Sequence, residues 1–319
     1  MTKITQRVSV SNMSFQFLSD MNKALLRQNK MAEHLHSGRT LHRASDDPIR
    51  LSRSLRFYSA LAQNTKYTSN YGDAATWMQN TDDALQAMSS VLIRVKEIIV
   101  QAANDTNTPD DRAALGTEID KLVDTLVDMA NSKVGDRYLF GGQSDRKQPF
   151  TRNPDGTVSF NGDNHYISMR LQAGGVSPMQ DSINVTCAEA FGADCQMFNE
   201  INQIAKVIMD HRSPPLPSQP GQPNLPVGQW LSYVALGEVD ALHSQLLKAN
   251  TAIGARMNSY EMIGSMLLDR DTNINADIKN NEDTDYARAI SEYKLWETVY
   301  NASLQVGARI LPMSLANFI

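Results

Sequence analysis

Residues 35–50 read LHSGRTLHRASDDPIR. An apolar rhythm runs up to Leu35, stops, and resumes beyond Pro48. Gly38 supplies the left-handed residue that ends a helix. Asp47 can cap free amide groups, and Pro48 suits the first helical position, where its missing N–H would have had no partner. Two amphipathic helices are therefore expected, one on each side of a well-signalled break.

Upstream, over 11–37, Leu18, Met21, Leu25, Ala32 and Leu35 recur in alternating three- and four-residue steps, with Gln28 the polar member. That spacing makes a coiled-coil-like seam. Downstream, a helix is expected over about 48–105, with a soft point near Gly72. Leu85, Met88, Leu92, Val95, Ile99 and Ala102 keep the same steps. Unbroken, such a helix is roughly 80 Å long, more than a compact domain needs. NDTNTPDD at 104–111 marks a turn, with Thr108 as cap, Pro109 in the first helical turn and Asp111 completing a capping-box-like pair. The third helix carries Leu115, Ile119, Leu122, Leu126 and Met129 on one face, and Gly135 is its expected end.

The character then changes. RYLFGG (137–142) reads as a short strand entering a glycine turn, and 143–186 as a β-rich insertion. A helix is expected at 196–211, followed by a proline-rich loop over 213–228 that holds six of the chain's 12 prolines. Helical rhythm returns at about 229. Val239, Leu242, Leu246, Ala249, Ile253, Arg256, Tyr260, Ile263, Leu267 and Arg270 repeat the three- and four-residue spacing. In a last segment, 283–309, Tyr286, Ala289, Tyr293, Trp296 and Tyr300 continue it. The chain finishes on an apolar tail with Ile310, Leu311, Leu315 and Phe318. The expected fold class is mainly α: long terminal helices in one bundle, with a small β-rich (α+β) middle domain.

Composition agrees. The chain has 319 residues, 41% of them hydrophobic, only 7% aromatic, and 15 methionines. That apolar share lies below the usual range and suits helices with narrow seams. A net charge of −5 argues against a nucleic-acid partner, which selects a basic face. The first residues, MTKITQRVSVSNMSF, lack an apolar core and a cleavage site, so no cleaved signal peptide is expected; nor is a membrane span, for want of 18 consecutive apolar residues.

Two cysteines, Cys187 and Cys195, are too sparse for a disulfide scaffold. His34 and His36 diverge on a helix and His42 falls in the loop, so all three read as surface histidines. HExxH, paired CxxC, GxSxG and phosphate-loop motifs are all missing. The acidic groups SDD (45–47) and NEDTD (281–285) read as helix-start caps, and the aromatic row Tyr286–Tyr300 as a packing face. No catalytic, cofactor or metal site is expected, and the chain does not read as an enzyme.

Both ends resemble bacterial flagellin. LHSGRTLHRASDDPIRLSRSLRF (35–57) resembles the flagellin pattern of Leu-x-Ser-Gly, a short loop, Asp-Asp-Pro and a new helix. LIRVKEIIVQAANDTNTPDDRAAL (92–115) resembles the run that ends in VQxAN and the turn after it. NNEDTDYARAISEYKLWETVYNASLQVGARIL (280–311) resembles the carboxy-terminal helix opened by EDxDYA. The resemblance covers about 1–140 and 236–319. Within the superfamily, RYLFGG followed by QPF (148–150) is similar to the hook-associated branch, and the proline-rich insert departs from a minimal member.

The resemblance implies a flagellin-like coiled-coil bundle and a structural role at the junction of hook and filament. It also implies export through the flagellar type III apparatus. The implied partners are further copies of the chain in a ring, a hook-associated protein on the hook side, flagellin on the filament side, and a cytoplasmic chaperone at the carboxy-terminal helix.

The domain organisation expected is an assembly segment (1–45), a bundle core (46–142 and 229–282), the insertion (143–228) and an assembly helix (283–319). The two assembly segments bury too little alone to offset about 1–2 kcal/mol of backbone entropy per residue, so they are expected disordered or loosely helical in a lone subunit. Growth then needs head-to-tail contacts, because a two-fold interface closes. Expected assembly residues are Leu18, Met21, Leu25, Leu35, Tyr286, Tyr293, Trp296, Tyr300 and the apolar tail; Leu92, Val95, Ile99, Leu122, Leu126, Leu242, Leu246 and Ile253 are expected core. The nearest rival is the filament flagellin itself, and behind it a secreted helical binding or effector protein.

Overall fold

The computed structural model describes residues 10–171, 182–210 and 226–316. Among them the helices are α1 (Val10–Ser37), α2 (Pro48–Ala102), α3 (Pro109–Ala130), α4 (Cys187–Phe191), α5 (Gln196–Asp210), α6 (Val227–Trp230), α7 (Leu236–Glu282) and α8 (Tyr286–Ala316). Two antiparallel ladders complete the set: β1 (Lys133–Val134) with β2 (Arg137–Tyr138), and β3 (Phe150–Arg152) with β4 (Val158–Phe160). The protein is mainly α with a small β part. Its chain divides into two compact units, 1–63 with 270–319 and 64–269.

In the unit 64–269, the stripes of α2 and α7 are the core. Leu85, Met88, Leu92, Val95, Ile99, Leu246 and Ile253 are fully buried, and Leu242 nearly so. α2 runs through Gly72 without a break. Thr108 and Asp111 form a reciprocal capping box at the start of α3, which secures two amides that otherwise lack a partner. α3 ends at Ala130, with Asn131 as its cap, rather than at Gly135. Gly135, at φ +60°, instead sits in the turn between β1 and β2. The buried face of α3 is Gly116, Ile119, Val123, Leu126, Val127 and Ala130, which leaves Leu115, Leu122 and Met129 half-buried at its margin. The shift has a steric origin. A Cβ on Gly116 would lie 2.5 Å from Met209 Cγ and 3.0 Å from the Ala205 carbonyl, so the small residue lets α3 approach α5 closely.

Among the described residues the β part is slighter than the 143–186 reading suggests. Its ladders are two and three residues long, and 161–171 contributes one isolated bridge, Ser168 to Ser182. Asparagine side chains replace the missing strands. Asn131 accepts from the Phe150 amide (3.1 Å) and donates to its carbonyl (3.0 Å). Asn199 accepts from the Val158 amide at 2.8 Å, and Asn184 from the Ile167 amide at 2.8 Å. Each amide group copies the donor and acceptor of a neighbouring strand. Beneath them Phe140, Phe150, Phe191 and Phe198 meet at ring-centroid distances of 5.0–5.5 Å, favourable edge-to-face and tilted contacts. Cys187 and Cys195 are both buried in this core. The proline-rich stretch lies outside the described residues except at its end, where Val227 already opens α6.

The unit 1–63 with 270–319 buries far less apolar surface. Among its described residues the buried apolar ones are Ala24, Leu41, Ile274 and Ala289, while His34, Ser54, Asn281, Glu282 and Thr284 are buried polar ones. α1 packs on α8. On α1 Ala24 is buried, Phe17, Met21, Leu25, Gln28, Met31, Ala32 and Leu35 are half-buried, and Leu18 is exposed. Phe17 lies against Gly307, where a Cβ would come within 2.6 Å of its ring, and the Arg27 guanidinium stacks 4.5 Å over Trp296.

Candidate functional site: paired turns and the α1–α8 face

The break quoted at the outset is one half of a pair. Residues 38–40 run antiparallel to 282–284, the segment that joins α7 to α8. The Thr40 amide donates to the Glu282 carbonyl at 2.7 Å, the Thr284 amide donates to the Gly38 carbonyl at 2.9 Å, and Arg39 pairs with Asp283. The Thr40 hydroxyl reaches the same Glu282 carbonyl at 3.0 Å. Gly38 takes φ +71°, and a Cβ there would lie 2.7 Å from the Tyr286 hydroxyl. The helix stop thus also makes room for the first residue of α8.

Side chains lock the pairing. Asn281 donates to the Arg50 carbonyl (2.9 Å) and to the Ser54 hydroxyl (2.6 Å). Arg50 returns bonds to the Thr40 hydroxyl (3.1 Å) and to the Asn281 carbonyl. Buried Glu282 accepts from the Tyr58 hydroxyl at 2.9 Å and faces Arg39 at 3.6 Å. Burial, then the Glu282 contact, pushes the Tyr58 phenol up. Asp47 accepts from the amides of Ile49 (3.0 Å) and Arg50 (2.9 Å), so it caps α2. Asp285 accepts from the Arg288 amide at 3.2 Å and caps α8 in the same way.

Asp46 does something else. It bridges Lys30 at 3.0 Å and gathers the His42 and Arg43 amides at 3.3 and 3.0 Å, closing the loop onto α1. The Lys30 bond, then the Arg43 amide, holds its carboxyl at about 2. His34 is not at the surface: it is 9% exposed and its ring stacks on His42 at 5.8 Å. Burial first, then Lys30 and His42, pushes its imidazole down.

The residues expected for assembly spread over α1 and α8. Leu18 is exposed; Met21, Leu25 and Leu35 are half-buried. Tyr286 is exposed, and Tyr293, Trp296 and Tyr300 are half-buried. Ile310, Leu311 and Leu315 fall within α8, though their side chains lie outside the described residues, as does all of Phe318. Spacing alone did not find the apolar side chains that the pair leaves exposed, Phe15 and Leu26 on α1 and Ile290, Leu295, Leu304 and Val306 on α8. It also did not find Thr40, Asn281, Glu282 and Tyr58. Among the described residues no group of three or more His, Cys, Asp or Glu could hold a metal ion, and no helix is long and apolar enough to cross a membrane.

Comparison with known proteins fits this geometry. Residues 8–145 match the family described as bacterial flagellin N-terminal helical region. Flagellar hook-associated protein 3 of Escherichia coli K12 is 25% identical over 294 residues, 90% of this chain and 91% of that protein. A flagellin of Clostridium tyrobutyricum is 33% identical over 115 residues, but these are only 36% of this chain and 30% of the flagellin. The crystal structure of Bacillus cereus FlgL shares the fold, with a TM-score of 0.55 at 22% identity over 70% of this chain and 99% of that one. The chain is thus similar to a hook-associated protein over nine-tenths of its length and to flagellin only in part.

Proposed function

We propose that this chain is a structural protein of the bacterial flagellum that builds the junction between hook and filament through head-to-tail association of its terminal helices. The observation that carries the reading is the α1–α8 pair: its inner seam buries small and polar groups, while Leu26 (68%), Leu295 (58%) and Val306 (51%) stay exposed on it. Neighbouring copies in a ring supply the missing cover, and the contact is head-to-tail because a two-fold pairing would stop growth. Segments 1–45 and 283–319 gain their full order only there, so folding is coupled to assembly by mass action. A hook-associated protein meets the ring on one side and flagellin on the other. A chaperone covers the carboxy-terminal helix before type III export without a cleaved signal, and the role is structural rather than enzymatic. Electron microscopy of a deletion strain tests this: hooks without filaments, with flagellin lost to the medium, are expected. Intact filaments would refute it, and filaments lost because their own subunit is missing would favour the flagellin alternative.

A further inference from the structure

A head-to-tail contact joins two different surfaces, since each docked copy must keep one of them free for the next. Two helix faces of this chain fit that need. From Pro48 to Gly72 every charged residue is a cation. In the opening turns of α2, Ile49 (74% exposed) and Leu55 (62%) accompany Arg53 and Arg56. Arg50 is tied to Thr40 and Asn281, but Arg53 and Arg56 are exposed, with no ion pair or side-chain hydrogen bond among the described residues. Steps of four and three put Ile49, Arg53 and Arg56 in one line along the helix. On α7 the sign is reversed. From Met257 to Asp269 there is no cation, and Glu261 and Asp269 are exposed carboxylates with no ion-pair partner among the described residues. Met262 (67%) and Met266 (64%) are exposed beside them, and Met262, Met266 and Asp269 repeat the steps of four and three. The first face belongs to the unit 1–63 with 270–319 and the second to the unit 64–269. Exposed apolar residues are ordinary one at a time. Here each face combines two large ones with two unanswered charges, and the charges of the two faces are opposite.

We infer that the opening face of α2 on one copy docks against the Glu261–Asp269 face of α7 on a second copy, arginines meeting carboxylates and Ile49 and Leu55 covered by Met262 and Met266. Unbranched methionines adapt their shape to such a partner. Either face meeting itself would set like charges against each other, which disfavours a closed two-fold pair. Charge alone thus makes the contact head-to-tail. The inference rests on the self-association proposed above, but it uses neither α1 nor α8, so the two contacts can fail separately.

The test uses the full chain with one added cysteine and a short bismaleimide cross-linker; the natural chain, whose Cys187 and Cys195 are buried, is the control. A mixture of Ile49→Cys and Met266→Cys chains is expected to give a cross-linked dimer, while either variant alone gives no more than the control. The yield should fall as salt rises, because exposed charges are screened. Arg53→Glu with Arg56→Glu in the Ile49→Cys chain is expected to cut the yield about tenfold, and Glu261→Arg with Asp269→Arg in its partner to restore it. All these positions are exposed, and an unchanged melting temperature checks that the fold is kept. No dimer at the solubility limit, an equal dimer from Ile49→Cys alone, or indifference to charge reversal would each overturn the inference. So would assembled flagella in which Ile49→Cys links to a different protein. If Leu26→Asp with Leu295→Asp strips filaments from cells but positions 49 and 266 never cross-link, this contact fails while the α1–α8 reading stands.

Discussion

Thr40 and Glu282 are joined twice, the amide and the hydroxyl of Thr40 both donating to one carbonyl of Glu282, at 2.7 and 3.0 Å. They are 242 residues apart in sequence. This contact fastens the entry to α2 against the exit of α7, so the breaks in the amino- and carboxy-terminal helices form a single joint. The interruption after Leu35 is therefore more than a flexible gap, because its backbone groups have defined partners.

The joint depends on the Glu282 carboxylate. Glu282→Ala leaves the Tyr58 hydroxyl without its acceptor and Arg39 without its ion pair. The expected loss is about 0.5–1.5 kcal/mol, the net worth of a typical hydrogen bond, because Tyr58 is 38% exposed and can turn to water. Hydrogen exchange should show it as faster exchange at the Thr40 and Thr284 amides, while amides of α3 and α5 keep their protection.

Acid should loosen the loop in a defined window. The Asp46 carboxyl is held at about 2, below its ordinary 3.8, by Lys30 and then the Arg43 amide. Its folded-state pKa is depressed, so its stabilising effect is present above about pH 4 and is lost as pH falls towards 2. Exchange at the His42 and Arg43 amides should accelerate through that window in the natural chain. In Asp46→Asn those amides should be less protected at neutral pH, with no such step.

Gly38 should resist substitution for a backbone reason. At φ +71° a side chain costs about 1 kcal/mol, and the Tyr286 hydroxyl must also move away. Gly38→Ala is expected to lower stability by about 1–2 kcal/mol in chemical denaturation, and Tyr286→Phe in the same chain to recover the smaller, steric part. Full stability of Gly38→Ala alone would contradict the helix-stop assignment.

The core of the other unit should fail differently. Leu246 and Ile253 are fully buried, and a carboxylate in either place has no partner. Leu246→Asp or Ile253→Asp is expected to cost several kcal/mol, enough to abolish a cooperative thermal transition. Circular dichroism would show lost helicity rather than a failure confined to assembly.

How legible this was follows the physics of each element. Local signals named their elements well: the Gly38 stop, the Asp47 cap, the Thr108 capping box and the apolar steps of α2 and α7 all act within one or two turns of chain. On α1 the expected seam is half-buried except at Leu18, which is exposed while its neighbour Phe17 packs against Gly307, and spacing cannot choose between adjacent positions at the end of a stripe. The end of α3 was misplaced because Asn131 ends it with its backbone N–H, bonded to the last carbonyls of the helix, while its side chain is held by distant Phe150. His34 was read as exposed because the loop that buries it returns only through Asp46 and His42. The joint itself was invisible, since no local pattern ties Thr40 to Glu282.

The central claim is that the exposed apolar side chains of α1 and α8 serve assembly rather than the fold of one copy. The most direct measurement is a strain carrying Leu26→Asp with Leu295→Asp, two residues exposed in the single chain. Changes at such positions usually move stability by about 0.5 kcal/mol or less. The purified variant should therefore melt like the natural chain, while cells show bare hooks, flagellin in the medium and no swimming. Normal filaments and normal swimming with both charges in place would contradict the account.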